Sequence, residues 1–133
     1  RNPKRDMVWV ALAGPAANLA QALAWGILVY LLPALGVTEP FFNRMCQGGV
    51  LVNVVMFAFN MFPLPPLDGG RILVGLLPHQ QAALVSRIEP YGFFVVMALV
   101  VSGIASTVWM QPVMALTFGL LNLLLSPLAA LVL

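Results

Sequence analysis

Residues 7–32 form a run of 26 residues that contains no charged side chain. A helix of about 20 apolar residues crosses the hydrocarbon core of a bilayer, and lipid offers no partners for backbone polar groups, so such a run must be helical. The whole chain has this character: 62% of its 133 residues are hydrophobic and 8% are charged. A typical soluble domain has about 25% charged residues. The sequence therefore predicts an integral membrane protein.

Three further apolar segments follow, at about residues 48–62, 91–109 and 112–133. The first of these is short for a complete span, so it either begins earlier, near Phe41, or ends inside the membrane. No internal repeat and no low-complexity linker divides the chain. We therefore expect an all-α, polytopic integral membrane protein. It would be a single membrane domain of residues 1–133 with about four transmembrane helices.

The basic residues are distributed unevenly along the chain. Arg44 is alone between the first and second spans, whereas the other five lie before the first span or between the second and third: Arg1, Lys4, Arg5, Arg71 and Arg87. Since Lys and Arg concentrate on the cytoplasmic side of membrane proteins, the N-terminal end is predicted to face the cytoplasm. The basic residues form no stripe with interleaved aromatics, which argues against a nucleic-acid partner. The single cysteine, Cys46, excludes an internal disulfide.

The second apolar segment ends in the sequence Phe-Pro-Leu-Pro-Pro-Leu-Asp-Gly-Gly, residues 62–70. Its prolines have no amide hydrogen to donate, and each disfavours helical backbone angles in the preceding residue. Gly69 and Gly70 permit backbone angles that other residues avoid. We therefore expect this Pro-rich segment to break the second helix, toward its cytoplasmic end, and to be extended or turned.

Asp68 lies within the predicted break. Irregular backbone at membrane depth is tolerated only where it is buried in protein or lines a wet cavity, and an ionisable group there needs a partner. The partner of Asp68 is either Arg71, in a simple ion pair, or a cation. In the alternative interpretation, Asp68 lies outside the bilayer in an ordinary Asp-Gly-Gly turn.

Three asparagines lie in the first two apolar helices. Asn18 shares a face of the first helix with small residues, and Asn53 and Asn60, seven residues apart, share a face of the second. An amide in hydrocarbon needs a hydrogen-bond partner, either on a neighbouring helix or on a bound molecule. We interpret Asn53 as a packing residue and Asn60, which adjoins the break, as a functional residue.

Two motifs resemble those of the site-2 protease family, whose members are zinc metalloproteases that cut inside the membrane. Asn60-x-x-Pro63-x-x-x-Leu67-Asp68-Gly69 resembles the family's Asn-x-x-Pro-x-x-x-Leu-Asp-Gly motif. Residues 13–18, Ala-Gly-Pro-Ala-Ala-Asn, resemble its Gly-Pro-x-x-Asn element. Residues 89–93, Glu-Pro-Tyr-Gly-Phe, are similar to the stretch that opens the next helix in small bacterial members. The resemblance covers nearly the whole chain and implies a multi-pass protein of the bacterial cell membrane.

By this resemblance Asp68 is the third ligand of a catalytic zinc ion, and Asn60 and Asn18 are catalytic residues that hydrogen-bond the substrate backbone or the developing oxyanion. The other two ligands and the catalytic glutamate belong to a His-Glu-x-x-His helix, which this chain lacks; its only histidine, His79, is predicted to lie in a surface loop. The missing helix is expected upstream of Arg1. The resemblance thus implies that a longer parent protein cleaves transmembrane substrates in the lipid bilayer and that this chain alone is inactive.

Two alternatives to a protease follow from the same residues. A broken helix with exposed carbonyls near Asp and Asn side chains also builds ion sites in ion-coupled transporters and channels, although such folds usually have paired breaks in related halves. The other alternative is a catalytically inactive family member that acts as a membrane scaffold. Zinc analysis of the intact protein would distinguish an active enzyme from a scaffold.

Overall fold

The computed structural model describes residues 3–132. Within that range the chain forms six α-helices: α1 (Pro3–Ala34), α2 (Pro40–Asn60), α3 (Asp68–Leu76), α4 (His79–Ser86), α5 (Glu89–Ser102) and α6 (Gln111–Val132). A π-helical segment, Ala105–Met110, runs directly into α6. No β-strand occurs between residues 3 and 132, so the all-α prediction is confirmed for them.

By length and apolar composition, two helical stretches of the described chain can cross a membrane: Pro3–Ala34 and Ala105–Val132, of 32 and 28 residues. α4 and α5 together make a third candidate span, bent by 64°. α2 has 21 residues but is less apolar, because polar side chains interrupt it at Asn43, Arg44, Gln47 and Asn53. The described residues therefore contain two or three candidate spans, and the predicted count of four is not confirmed.

The predicted third span, residues 91–109, is not one continuous helix. α5 ends at Ser102, and Gly103 has a φ of 84°, the left-handed conformation that commonly ends helices. The residues after it belong to the last helix instead, since the Gln111 N–H donates to the Ser106 carbonyl in the wider i→i+5 pattern of a π-helix. The boundary is therefore set by the backbone of Gly103 and not by Pro112, which lies inside the first turn of α6.

α1, α2 and α6 pack against one another around a small apolar centre formed by Ala22, Val54 and Leu121. Glycines allow this close approach. A Cβ atom on Gly26 would lie 2.6 Å from Cδ1 of Leu125, and one on Gly49 would lie 2.4 Å from the ring of Trp25. Such small residues are common where membrane helices meet, because they let the backbones come close.

α3 packs against α1. A Cβ atom on Gly75 of α3 would lie 2.1 Å from Cγ2 of Val8, so the first two turns of α1 and the end of α3 are in direct contact. This arrangement folds the chain back after the break and brings the start of α3 beside the middle of α1.

Candidate active site

The helix break lies where the prolines predict it. α2 ends at Asn60 and α3 begins at Asp68, so residues 61–67 are not helical. They form a compact turn in which the Leu64 N–H donates to the Phe62 carbonyl at 2.8 Å and the Leu67 N–H donates to the Leu64 carbonyl at 3.0 Å. Pro65, at the centre of the turn, is fully buried. The break is therefore a packed part of the protein.

Gly69 and Gly70 serve packing and not an unusual backbone conformation. Both lie in the first turn of α3 and are buried, and neither has a positive φ. A Cβ atom on Gly69 would lie 2.0 Å from the Met61 carbonyl oxygen, and one on Gly70 would lie 2.0 Å from the Pro65 nitrogen. The prediction that the whole of residues 62–70 leaves the helix is thus wrong from Asp68 onward, because these glycines let a new helix start directly against the turn.

The first turn of α5 closes the other side of the break. A Cβ atom on Gly92 would lie 1.8 Å from the carbonyl oxygen of Pro65, a contact that only glycine permits. Nearby, Nε of Arg71 lies 4.0 Å from Oε1 of Glu89, and both side chains are about half exposed, at 48% and 50%. The charge partner of Arg71 among the described residues is therefore Glu89 and not Asp68. An exposed pair of this kind contributes at most about 1 kcal/mol to stability.

Trp109 secures the end of α2. In a continuing helix the Ala58 carbonyl would accept the N–H of Phe62, but that N–H donates to the Phe59 carbonyl instead. The indole N–H of Trp109 donates to the Ala58 carbonyl at 2.8 Å, and its ring meets Phe62 edge to face, with centroids 5.5 Å apart. Sequence reasoning missed this residue. A tryptophan in an apolar helix predicts that its N–H has a partner, but only packing identifies that partner.

Asp68 is the first residue of α3 and is partly exposed. Its carboxylate lies against α1 at Gly14, where a Cβ atom would be only 3.0 Å from Oδ2 of Asp68. The structure thus brings the Leu-Asp-Gly motif onto the Gly-Pro-x-x-Asn motif. Gly14 has no side chain to occupy the space beside the carboxylate, while the next residue, Pro15, is fully buried.

The two candidate asparagines are partly exposed and lie on the same two helices. Asn18 follows Gly14 by four residues, which is one turn of α1 on the same face, and Asn60 is the last residue of α2. Across residues 3–132, the side chains of Asn18, Asn60 and Asp68 form no hydrogen bond with one another or with other groups. By contrast, Asn53 is buried and donates to the Gly49 carbonyl of its own helix at 2.8 Å.

Comparison with known sequences assigns the chain to a family. The sequence model of Peptidase family M50 matches residues 38–103, which include α2, the break and α3 to α5. The chain is 36% identical to YwhC of Bacillus subtilis over 117 residues, which is 81% of this chain and 52% of that protein. The chain belongs to peptidase family M50, the site-2 proteases.

Other M50 relatives match a smaller share of the chain. The chain is 34% identical to Rip2 of Mycolicibacterium smegmatis over 70% of its own length and 35% of that protein. It is 35% identical to MJ0611 of Methanocaldococcus jannaschii over 48% of its own length and 31% of that protein. All three relatives are named as candidate zinc metalloproteases. The M50 chain spans about half the length of YwhC, and no solved structure matches it.

The M50 chain offers one suitable metal ligand at this site. Asp68 fits that role, because its carboxylate has no partner among the described residues and Gly14 leaves space beside it. A catalytic zinc site uses three protein ligands, and residues 3–132 contain no group of three His, Cys, Asp or Glu side chains that could hold a metal. His79 is exposed at the start of α4, after Pro78, and not within a loop as predicted.

Proposed function

We propose that the full-length protein is an intramembrane zinc protease that cleaves transmembrane segments of other proteins. In this proposal the described chain contributes one zinc ligand and the polar groups that bind the substrate backbone. The observation that carries the proposal is the position of the Asp68 carboxylate against Gly14, where the two family motifs meet. Membership of family M50 supports it, as do the names of the curated relatives.

Asp68 would be the third zinc ligand. Its carboxylate is partly exposed and has no ion pair or hydrogen bond within residues 3–132. Asp68 begins α3, whose first turn packs closely against the preceding turn at Gly69 and Gly70. The charge of Arg71 is directed to Glu89, so it does not compete for Asp68. The two histidines and the glutamate of a His-Glu-x-x-His helix would come from another part of the full-length protein. Zinc, when bound, activates water for attack and polarises the scissile carbonyl.

Asn60 and Asn18 would bind the substrate. An amide N–H that is aimed at the position where negative charge develops stabilises the transition state, and removing one such donor typically lowers kcat by about 100- to 1000-fold. Both side chains are free of hydrogen-bond partners within the described chain, unlike Asn53. Their positions, one turn after Gly14 and at the edge of the break, support a role beside the metal.

The proposed site lies inside the bilayer. Gly14 follows Met7, the first residue of the uncharged run, by seven residues, and a helix rises 1.5 Å per residue, which amounts to about 10 Å. The hydrocarbon core is about 30 Å thick, so this depth is about one third of it. The basic residues at the start of α1 support an orientation in which this third is the cytoplasmic one, in the cell membrane of a bacterium.

The experiment compares zinc content and cleavage of a transmembrane reporter substrate by the full-length protein and its Asp68→Ala variant. We expect the variant to lose cleavage and to bind less zinc, because a carboxylate ligand has been removed. The matched control is Glu39→Gln, which removes an exposed carboxylate before α2 and should leave both measurements unchanged. Full zinc occupancy in Asp68→Ala would overturn the ligand assignment.

The same experiment separates the alternative functions. A catalytically inactive scaffold would give no cleavage and no zinc in the unmodified full-length protein. An ion-coupled transporter or channel would give ion flux in vesicles that depends on Asp68, without proteolysis. No observation among the described residues favours either alternative over a protease.

A further inference from the structure

A groove of about 380 Å³ lies between the first turns of α1 and the end of α3. Lys4 and Arg5 line its basic end, at the start of α1, and the other side chains that line it include the apolar Val8, Leu12 and Leu76. Trp9 borders it and is 64% exposed, and Leu76 is 71% exposed, so the groove opens away from the protein. The groove is separate from the candidate active site, because neither Asp68 nor Gly14 lines it.

Two contacts build the groove. The backbone of Gly75 lies close to Val8: a Cβ atom on Gly75 would be 2.1 Å from Cγ2 of Val8. The ammonium group of Lys4 donates a hydrogen bond to the carbonyl of Leu77, at the end of α3. Lys4 thus joins the basic end of the groove on α1 to the end of α3.

The groove changes from charged to apolar along its length. Lys4, Val8 and Leu12 are spaced by four residues and share one face of α1, over about 12 Å of helix rise. α1 has 32 residues, or about 48 Å, which exceeds the hydrocarbon core of about 30 Å, so its basic end projects into the interfacial region. Trp9 has the amphipathic ring that is enriched at that depth.

We propose that this groove binds an anionic phospholipid, with the phosphate at Lys4 and Arg5 and an acyl chain along Val8 and Leu12 against Leu76. This occupant is chosen because its phosphate matches the two cations and its acyl chain matches the apolar side chains of the groove. A free phosphate ion would leave the apolar side chains of the groove uncovered, and a zwitterionic lipid would gain less from the two cations than an anionic lipid. The bound lipid would join α1 to α3, the helices that carry Gly14 and Asp68. The proposal requires a membrane location but not proteolysis.

The test measures which phospholipids stay bound to the full-length protein after extraction from mixed phosphatidylglycerol and phosphatidylcholine bilayers, by native mass spectrometry. We expect the unmodified protein to retain one phosphatidylglycerol in preference to phosphatidylcholine. The double variant Lys4→Gln, Arg5→Gln removes two cations and should weaken retention roughly 30-fold. The control Arg44→Gln removes an exposed basic residue at the start of α2 and should retain the lipid.

A second variant removes the space and keeps the charge. Leu76→Trp fills the groove from an exposed position and should also lose the lipid, whereas Leu84→Trp, at an exposed position of α4 outside the groove, should not. Unchanged retention in both groove variants would overturn the proposal. Equal retention of the two lipids would also overturn the proposal. So would the absence of any retained lipid, which is the result expected if another segment of the full-length protein covers the groove.

Discussion

The carboxylate of Asp68 lies against Gly14 of α1, where a Cβ atom would be 3.0 Å from Oδ2, which is closer than an ordinary van der Waals contact. This relationship explains why a glycine stands in the first motif. In the proposed function, the space at Gly14 lets the Asp68 carboxylate hold a ligand, and Asn18 follows one turn later on the same face of α1. The two motifs are therefore in contact, although they belong to different helices.

Filling the space at Gly14 should impair the site without unfolding the protein. Gly14→Ala forces the Asp68 side chain to move by a few tenths of an ångström, so we expect a partial loss of cleavage by the full-length protein. Gly14→Val should abolish cleavage and lower zinc content. Gly119→Ala, in α6, meets no atom within 4 Å and is the control. Full activity of Gly14→Val would contradict the proposed role of this contact.

The contact between Gly92 and Pro65 should be important for stability. A Cβ atom at Gly92 would meet the Pro65 carbonyl oxygen at 1.8 Å, and backbone cannot move away as a flexible side chain can. We expect Gly92→Ala to destabilise the protein by about 1–3 kcal/mol, as overpacking usually does. Thermal unfolding in detergent measures this effect. Gly48→Ala, which has no neighbouring atom within 4 Å, should be neutral or slightly stabilising, and a similar result for both variants would refute the argument.

Trp109→Phe tests the hydrogen bond that secures the end of α2. The substitution keeps an aromatic ring beside Phe62 but removes the donor to the Ala58 carbonyl, whose residue is fully buried. An unsatisfied buried carbonyl costs about 1–3 kcal/mol, so unfolding should occur at lower temperature or denaturant concentration. Trp9→Phe, at an exposed position, is the matched control. Equal stability of the two variants would mean that the indole N–H contributes nothing.

The two site asparagines should differ from other amides of the chain. We expect Asn60→Ala to lower kcat of the full-length protein by about 100-fold or more while zinc content stays the same, since an amide that binds substrate is not a metal ligand. Asn18→Ala should act in the same direction. Asn43→Ala changes an exposed amide near the start of α2 and should have no effect. A loss of zinc in Asn60→Ala would show that Asn60 acts on the metal site instead.

Much of the fold was predictable because it depends on local properties of the chain. The length and apolarity of residues 7–32 require a helix, and prolines that lack an N–H require that α2 ends near Phe62. The helix Pro3–Ala34 and the turn at residues 61–67 confirm both predictions. The candidate site residues Asp68 and Asn60 were likewise predicted from a motif, which depends on residue types and their spacing along the chain.

Other features depend on which groups meet in space, and these only the tertiary structure decided. The sequence by itself determined that residues 7–32 form an apolar helix and that the second apolar helix ends at the prolines after Phe62, because missing donors and the absence of charge act locally. It did not determine that Asp68 contacts Gly14, that Trp109 donates to the Ala58 carbonyl, or that Gly103 ends α5. Gly69 and Gly70 illustrate the difference. Glycines at these positions are compatible with either a positive φ or close packing, and the structure shows close packing against Met61 and Pro65. Contacts between distant residues depend on how helices pack, and that packing is a property of the whole fold.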